Sequence, residues 1–184
     1  NPVHVYQNAG TYSVSLNVAG SSLTSSKVRN NYIVVSPPPV LTQSLVLGSK
    51  WNWISLNVTP DSLNVAHVMS KVEKLDILVN SAGRFYIPRT VNNIGAFSLL
   101  EGYRAHLSGP DTLIARGIAV PATSAIVLPA GWSMVSYLPQ TPANVTTALA
   151  SLKGNLAIAK NDAGGFYVPD VINSLGSMIP GKGY

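Results

Sequence analysis

The chain has no cysteine, little charge and no long apolar run. Without cysteine it can hold neither a disulfide nor a thiolate metal site. Charged residues make up 10% of its 184 residues, against roughly 25% in average soluble domains. Its polar surface must therefore consist mostly of serine, threonine and asparagine. Such a surface suits an extracellular or assembled protein better than one dissolved at high concentration inside a cell.

The lack of long apolar runs and of clustered charge argues against two kinds of partner, a membrane and a nucleic acid. No run of about 18 apolar residues is present, so the sequence predicts no membrane span. The net charge is +5, but the basic residues are scattered, whereas a nucleic-acid surface needs them clustered on one face. The sequence begins at Asn1 with neither an initiator methionine nor a leader, which predicts a piece of a longer secreted precursor.

What the chain does contain is an internal repeat with a period of 81 residues. Three segments recur at that spacing: residues 51–56 (WNWISL) at 132–137 (WSMVSY), residues 85–88 (FYIP) at 166–169 (FYVP), and Gly102-Tyr103 at Gly183-Tyr184. The repeat predicts two tandem modules, at residues 45–125 and 126–184. The second is truncated, because residues 104–125 have no counterpart in the sequence.

Each module is predicted to be rich in β-strands and to contain one short helix. In the first module, residues 45–47 and 51–58 predict two strands joined by a hairpin turn at 48–50. Asp61 or Ser62 can cap the helix that follows. Its apolar face, at positions i, i+3, i+4 and i+7, consists of Val65, Val68, Met69 and Val72. Further strands are predicted at 75–79, 85–87, 103–107, 113–115 and 117–120.

The second module repeats this order. Its predicted strands lie at 126–128, at 132–138 and around Ile158 and Tyr167. Its predicted helix carries Val145, Ala148, Leu149 and Leu152 on the apolar face. Two β-rich modules with one short helix each are therefore expected in tandem.

Residues 1–36 precede the modules and alternate apolar and polar side chains with period 2. This alternation predicts a half-buried strand, followed by a second strand that ends at residues 32–35. The side chains that share the apolar face are Tyr12, Val14, Leu16 and Val18. Residues 37–44 begin with three prolines, which fix the backbone and remove donors, so a stiff linker is predicted there.

The pattern of residues 1–6 (NPVHVY), 10–18 (GTYSVSLNV) and 31–35 (NYIVV) resembles the C-terminal half of a PKD domain, an immunoglobulin-like β-sandwich. The resemblance implies an immunoglobulin-like half-sandwich over residues 1–36. The N-terminal half of that family, including its WDFGDG stretch, has no counterpart here. An open half-sandwich has unpaired strand edges, so either the following domain or strands from another chain are expected to complete it.

The repeated module resembles one found in secreted bacterial and archaeal proteins, with a GWNLISLP strand, a helix and a PGKGY turn. The matching segments are residues 51–56, 131–137 and 180–184. The first copy departs from the pattern, with Lys50 in place of the first glycine and residues 99–101 (LLE) in place of PGK. The resemblance implies an extracellular appendage of a large secreted or surface protein, and it assigns no activity to any residue.

No residue pattern predicts catalysis, a metal site or a cofactor. The three histidines, His4, His67 and His106, lack chelating spacing; His4 is expected to pack and hydrogen-bond, and His67 to be solvated. No carboxylate recurs in both modules, as acid-base catalysis by the repeat would require. Ser55 and Ser136 do recur, but no histidine or aspartate recurs with them, so each is predicted to lie on the less buried face of a strand.

The aromatic residues suggest a binding surface. The recurring Trp51/Trp132 and Phe85/Phe166 pairs are predicted to be core anchors. Trp53 does not recur, since Met134 stands in its place, so it is the predicted exposed residue on which a polysaccharide ring could stack. Asn57 and Asn144 each begin an N-x-T sequon and are candidate glycosylation sites.

The sequence therefore favours a non-catalytic structural or spacer module of a large secreted or cell-surface protein. One alternative is a subunit of a self-assembling extracellular filament or sheath, completed by strands from neighbouring chains or from the rest of its own precursor. Another is an accessory module of a secreted hydrolase that binds polysaccharide or protein.

Overall fold

The computed structural model describes residues 3–184, and the chain forms two compact units, Asn1–Pro39 and Val40–Tyr184. The prediction of a mainly β protein with short helices is confirmed, since strands dominate both units. Both repeats lie within the second unit. They therefore fold against each other and form a single compact unit.

The helices are single turns, and every strand pairing is antiparallel. In chain order the strands are β1 (Gly10–Ala19), β2 (Thr24–Val35), β3 (Val40–Leu47), β4 (Lys50–Ile54), β5 (Val58–Pro60), β6 (Leu75–Val79), β7 (Phe85–Ile87), β8 (Val91–Asn92), β9 (Tyr103–Leu107), β10 (Asp111–Ala119), β11 (Ala143–Asn144), β12 (Ala159–Lys160), β13 (Phe166–Val168), β14 (Ile172–Asn173) and β15 (Ser177–Met178). The helices are α1 (Val65–Val68) and α2 (Val145–Ala148), the latter followed by a 3-10 turn at Ala150–Leu152.

The first unit is a hairpin of β1 and β2, which confirms both predicted strands. The predicted half-burial of the first strand is wrong. Three members of its apolar face are largely exposed: Val14 at 38%, Leu16 at 65% and Val18 at 57%. The described strands of this unit form a single two-stranded layer, so the unit itself has no second layer to cover that face.

The second unit begins with strand rather than linker. β3 starts at Val40, so residues 40–44, predicted to be part of the proline-rich linker, belong to a sheet. Strand β10 lies between β3 and β5 in a three-stranded sheet. The larger sheet has the order β4-β9-β6-β7-β8. The first repeat thus consists of two sheets around one core.

The predicted hairpin across residues 48–50 is wrong, because β3 and β4 belong to different sheets. The connection is a corner held by the buried side chain of Asn52. Its Oδ1 accepts a hydrogen bond from the Gly48 N–H at 2.9 Å, and its Nδ2 donates to the Gly48 carbonyl at 2.8 Å. Lys50 at this corner takes a φ of 72°, in the left-handed region that residues other than glycine seldom adopt.

The helix of the first repeat begins later than predicted. The N-cap is Asn64, rather than Asp61 or Ser62, and its Oδ1 accepts from the Ala66 and His67 N–H groups. The predicted apolar face is confirmed as buried, although α1 is only four residues long. Its members Val65, Val68, Met69 and Val72 are between 0% and 8% exposed and join the core of the first repeat.

The second repeat retains only part of this architecture. It has a small core of its own, together with the pair β11-β15 and the ribbon β12-β13-β14. The predicted strand at residues 126–128 is not formed, and residues 132–138 contribute only isolated bridges at Val135 and Ser136. In the first repeat the matching strands pair with β9 and β10.

Candidate functional site

The two repeats are joined by backbone hydrogen bonds between the tryptophan segment of the first and the last residues of the second. The Ser55 N–H donates to the Gly181 carbonyl at 2.8 Å, and the Gly183 N–H donates to the Trp53 carbonyl at 3.1 Å. Strand β4 therefore pairs with β9 on one edge, and its last two residues, Trp53 and Ile54, lie against the glycine-rich end of the other repeat.

The reverse pair of bonds is also made, at positions related by the 81-residue period. The Ser136 N–H donates to the Leu100 carbonyl at 3.4 Å, and the Gly102 N–H donates to the Met134 carbonyl at 3.0 Å. Each repeat thus binds the segment before the Gly-Tyr pair of the other. The contact is reciprocal, as in an interface with two-fold symmetry.

The recurring serines are part of this contact. The Ser55 hydroxyl donates to the Lys182 carbonyl at 2.7 Å and accepts from the Tyr137 N–H at 3.4 Å. The Ser136 hydroxyl donates to the Leu99 carbonyl at 2.6 Å. The two residues are 0% and 4% exposed, so their predicted place on a less buried face is wrong. Their recurrence was the sequence signal for a role in joining the repeats.

A partly buried ion pair adds to the contact. Oδ2 of Asp162 accepts from the Trp53 N–H and from Nζ of Lys182, both at 3.0 Å. The matching residues of the first repeat, Ser81 and Glu101, also bond to each other, with the Ser81 N–H donating to Oε1 of Glu101 at 2.9 Å. Both repeats therefore link the same two positions, with different residues.

Asn57, a predicted glycosylation site, lies inside the contact and is 2% exposed. Its Nδ2, the atom that would carry a glycan, donates to the Pro139 carbonyl at 3.1 Å. The main-chain carbonyl of Asn57 accepts from Nε2 of Gln140 at 2.8 Å. The folded protein thus encloses this side chain, and its geometry argues against modification after folding.

Asn144, the other sequon asparagine, is exposed at the N-cap of α2. Its Oδ1 accepts from the Thr146 N–H at 2.9 Å and from the Thr146 hydroxyl at 2.6 Å. Glycosylation at Asn144 remains a prediction.

Two tyrosines anchor the Gly-Tyr segments in the cores. The Tyr103 hydroxyl accepts from the Ser98 N–H at 2.7 Å, and the Tyr184 hydroxyl accepts from the Ile179 N–H at the same distance. Burial raises the pKa of Tyr103 to about 12 and also raises the pKa of Tyr184. These equivalent phenols are therefore buried acceptors that stay neutral at physiological pH.

The predicted core anchors are not at the core. Trp51 is 50% exposed and Trp132 is 75% exposed. In the first repeat this follows from β4, which points Asn52 and Ile54 inward and Trp51 to the other side. Trp53 was predicted to be the exposed tryptophan, but it is half-buried.

In the Phe-Tyr pair of each repeat, too, the buried side chain is one position away from the predicted one. Phe85 and Phe166 are half-buried, while their neighbours Tyr86 and Tyr167 are buried at 7% and 6%. Recurrence in both repeats identified important segments, but it did not tell which side chain of each segment faces inward.

The histidines do not converge. His67 is exposed, as predicted, and His4 is also exposed, with its ring centroid 4.7 Å from that of Tyr6. His106 bonds Asp76 through Nδ1 at 2.8 Å and contacts the Trp51 ring. Over residues 3–184 there is no group of three or more potential metal ligands, and no helix long and apolar enough to cross a membrane.

Comparisons with protein-family models, with curated proteins and with solved structures found no match. The resemblances to a PKD domain and to a secreted prokaryotic module therefore remain predictions. The contact between the repeats, with its recurring serines and glycines, is the feature from which a function can be inferred.

Proposed function

We propose that the chain is a non-catalytic structural or spacer module of a large secreted or cell-surface protein. One observation carries the proposal: the hydroxyls of the recurring serines, Ser55 and Ser136, donate hydrogen bonds that join the two repeats. A reactive serine would need a free hydroxyl beside a base. These hydroxyls instead donate to main-chain carbonyls, which is a structural role.

The reciprocal contact suits a module that must keep its length and shape. Because each repeat binds the Gly-Tyr segment of the other, opening one repeat removes partners from both. Polar groups left without partners in a buried contact destabilise a fold by about 1–3 kcal/mol each. The repeats are therefore expected to unfold together rather than one after the other.

Unfolding of the full chain with separate probes in each repeat tests this coupling. Trp132 reports on the second repeat when Trp51 and Trp53 are replaced by phenylalanine, and the reverse replacement reports on the first. We expect coincident denaturation midpoints from both variants. Two separate transitions would contradict a coupled spacer, and a calorimetric scan of the unsubstituted chain would reveal whether the replacements caused them.

The proposed location has its own test. Antibody against the full chain should label intact cells of the source, or be depleted by its culture medium. Detection only after the cells are lysed would contradict a secreted or surface protein.

A second candidate, polysaccharide binding, is favoured by the exposure of Trp132 and Trp51. Exposed indole rings offer apolar faces on which sugar rings stack. Co-sedimentation with insoluble polysaccharides should fall on Trp132→Ala and Trp51→Ala. Leu23→Ala, which truncates an exposed aliphatic residue at 83%, is the matched control. Binding that survives loss of both tryptophans would exclude this platform.

A further inference from the structure

The second repeat contains an open groove with a volume of about 400 Å³. Its lining is largely apolar and includes Ile126 and Leu128, Val135 and Tyr137, and Leu149 and Leu152 of the helical segment. Val135, which bridges to Glu101, and Tyr137, whose N–H donates to the Ser55 hydroxyl, also take part in the contact between the repeats. The groove is therefore continuous with that interface.

In the first repeat the equivalent residues form a closed core. Counterparts are offset by 81 positions in the strands and by 80 around the helix, where Asn64-Val65 matches Asn144-Val145. For the groove residues they are Leu45, Leu47, Ile54, Leu56, Met69 and Val72, all of which belong to the core or pack against it. Leu113 and Ala115 of β10 lie in the same buried cluster, at 1% and 5% exposure. Strand β10 thus fills, in the first repeat, the space that is open in the second.

The exposure of matching side chains measures what is uncovered. Leu47 is 1% exposed, whereas its counterpart Leu128 is 39% exposed. Met69 is buried, whereas its counterpart Leu149 is half-buried. An open apolar groove is unfavourable in proportion to the apolar surface that it leaves in water.

The backbone around the groove also makes fewer strand pairings than its counterpart in the first repeat. In the first repeat β10 pairs with β3 on one side and with β5 on the other. The counterparts of β3 and β5, residues 121–128 and 139–141, form no strand. The counterpart of β6 is shortened to β12. All three losses border the space that β9 and β10 occupy in the first repeat.

We infer that this groove binds a β-hairpin with the residue pattern of β9–β10 that belongs to a separate partner protein. A second copy of the chain is not the occupant, because the hairpin of each copy already fills its own first repeat. The partner's first strand would continue from the position of Tyr184, whose N–H and carbonyl already bond Val135 as a paired strand would. This inference rests on the groove and does not require the spacer function.

The required chemistry of the partner can be read from the first repeat. Its inward positions are apolar or small, namely Ala105, Leu107, Leu113, Ala115 and Gly117. Glycine is needed at the position of Gly117, where a Cβ atom would lie 1.8 Å from the Thr59 carbonyl oxygen. Its outward positions, such as Ile114 and Ile118, are exposed and can vary.

The test uses a labelled synthetic peptide of residues 104–120 and the intact chain, with binding followed by fluorescence anisotropy. We expect saturable binding and a melting temperature that rises with peptide concentration. An Ile114→Glu peptide should bind within about threefold, whereas a Leu113→Glu peptide should lose at least about tenfold, because only the second places a carboxylate in the groove.

Variants of the protein provide the reciprocal control. Leu128→Lys should abolish peptide binding with little effect on the free protein, since Leu128 is already 39% exposed. Val127→Lys, at the neighbouring position that is 88% exposed, should leave binding intact. Equal binding to both protein variants, or by both substituted peptides, would overturn the assignment of the groove.

A tethered version guards against a peptide that does not form a hairpin, since isolated hairpins are marginal in water. Residues 104–120 are appended after Tyr184, which raises their effective concentration at the groove. The extended chain should melt at a higher temperature than the same extension carrying Leu113→Glu. No binding of the free peptide and no difference between the two extensions would overturn the inference, while leaving the unfolding test of the spacer function unaffected.

Discussion

A Cβ atom built on Gly102 would lie 3.2 Å from the Cα atom of Gly183, its equivalent in the other repeat. The two glycines meet where each repeat binds the end of the other. That approach is close because neither residue has a side chain. The recurrence of glycine at these positions is therefore explained by contact between the copies as well as by the fold of each copy.

Gly102→Ala is expected to destabilise the protein. The new methyl group would lie 2.7 Å from Cγ of Met134 and 2.8 Å from the Val135 carbonyl oxygen, and the backbone atom cannot move away cheaply. Overpacking of this kind costs about 1–3 kcal/mol, measurable by chemical denaturation. Gly154→Ala is the control, because a Cβ there meets nothing within 4 Å. Equal stability of the two variants would contradict a tight contact.

Ser55→Ala should weaken the contact more than Ser136→Ala. The Ser55 hydroxyl serves both the Lys182 carbonyl and the Tyr137 N–H, whereas the Ser136 hydroxyl serves one carbonyl. A buried group left without its partner costs about 1–3 kcal/mol. In urea denaturation, the free energy of unfolding should be lowest for Ser55→Ala, intermediate for Ser136→Ala and highest for wild type. The exposed Ser70→Ala should remain at the wild-type value, and a loss there as large as for Ser55 would indicate a general effect.

The sequence predicted the local structure of this protein better than its long-range pairing. Period-2 alternation located β6, apolar residues beside turn signals located β7 and β9, and spacing of apolar residues located the buried face of α1. The hairpin predicted at residues 48–50 failed because neighbouring strands need not pair. The corner there depends on Asn52, a polar residue that periodicity ignores.

The site was predictable in part, from the 81-residue period. Recurrence marked Ser55 and Gly102, but one sequence cannot show that the bonding partner of a recurring residue lies in the other copy. The inward or outward direction of Trp51 was also beyond reach. An alternation of aromatic and polar residues fits either face of a strand, and burial of Asn52 in place of the tryptophans is decided by its bonds to Gly48.

Asp162→Ala should destabilise the contact, and Asp162→Asn should do so less. Alanine removes the acceptor of the Trp53 N–H and the partner of Lys182, whereas asparagine keeps a neutral acceptor. We expect losses of about 1–3 kcal/mol and about 1 kcal/mol, respectively, in denaturation midpoints converted to free energies. Added salt should narrow the gap between wild type and asparagine. A gap that does not change with salt would mean that the ion pair contributes nothing.

The stability of the protein should fall at alkaline pH partly through Tyr103. Burial raises the pKa of this phenol from 10.0 to about 12, so between those values the folded state retains a proton that the unfolded state has released. The resulting stability is fully present below pH 10 and is lost as the pH rises through about 12. Two pKa units correspond to roughly 3 kcal/mol.

Tyr103→Phe should abolish that part of the alkaline loss, although it also lowers the stability at neutral pH by removing the acceptor of the Ser98 N–H. Denaturation from pH 8 to pH 12 should therefore give a shallower slope for this variant than for wild type. Tyr32→Phe, at a residue that is 54% exposed, is the control and should follow wild type. Parallel slopes for all three proteins would show that Tyr103 releases its proton as easily in the folded as in the unfolded chain.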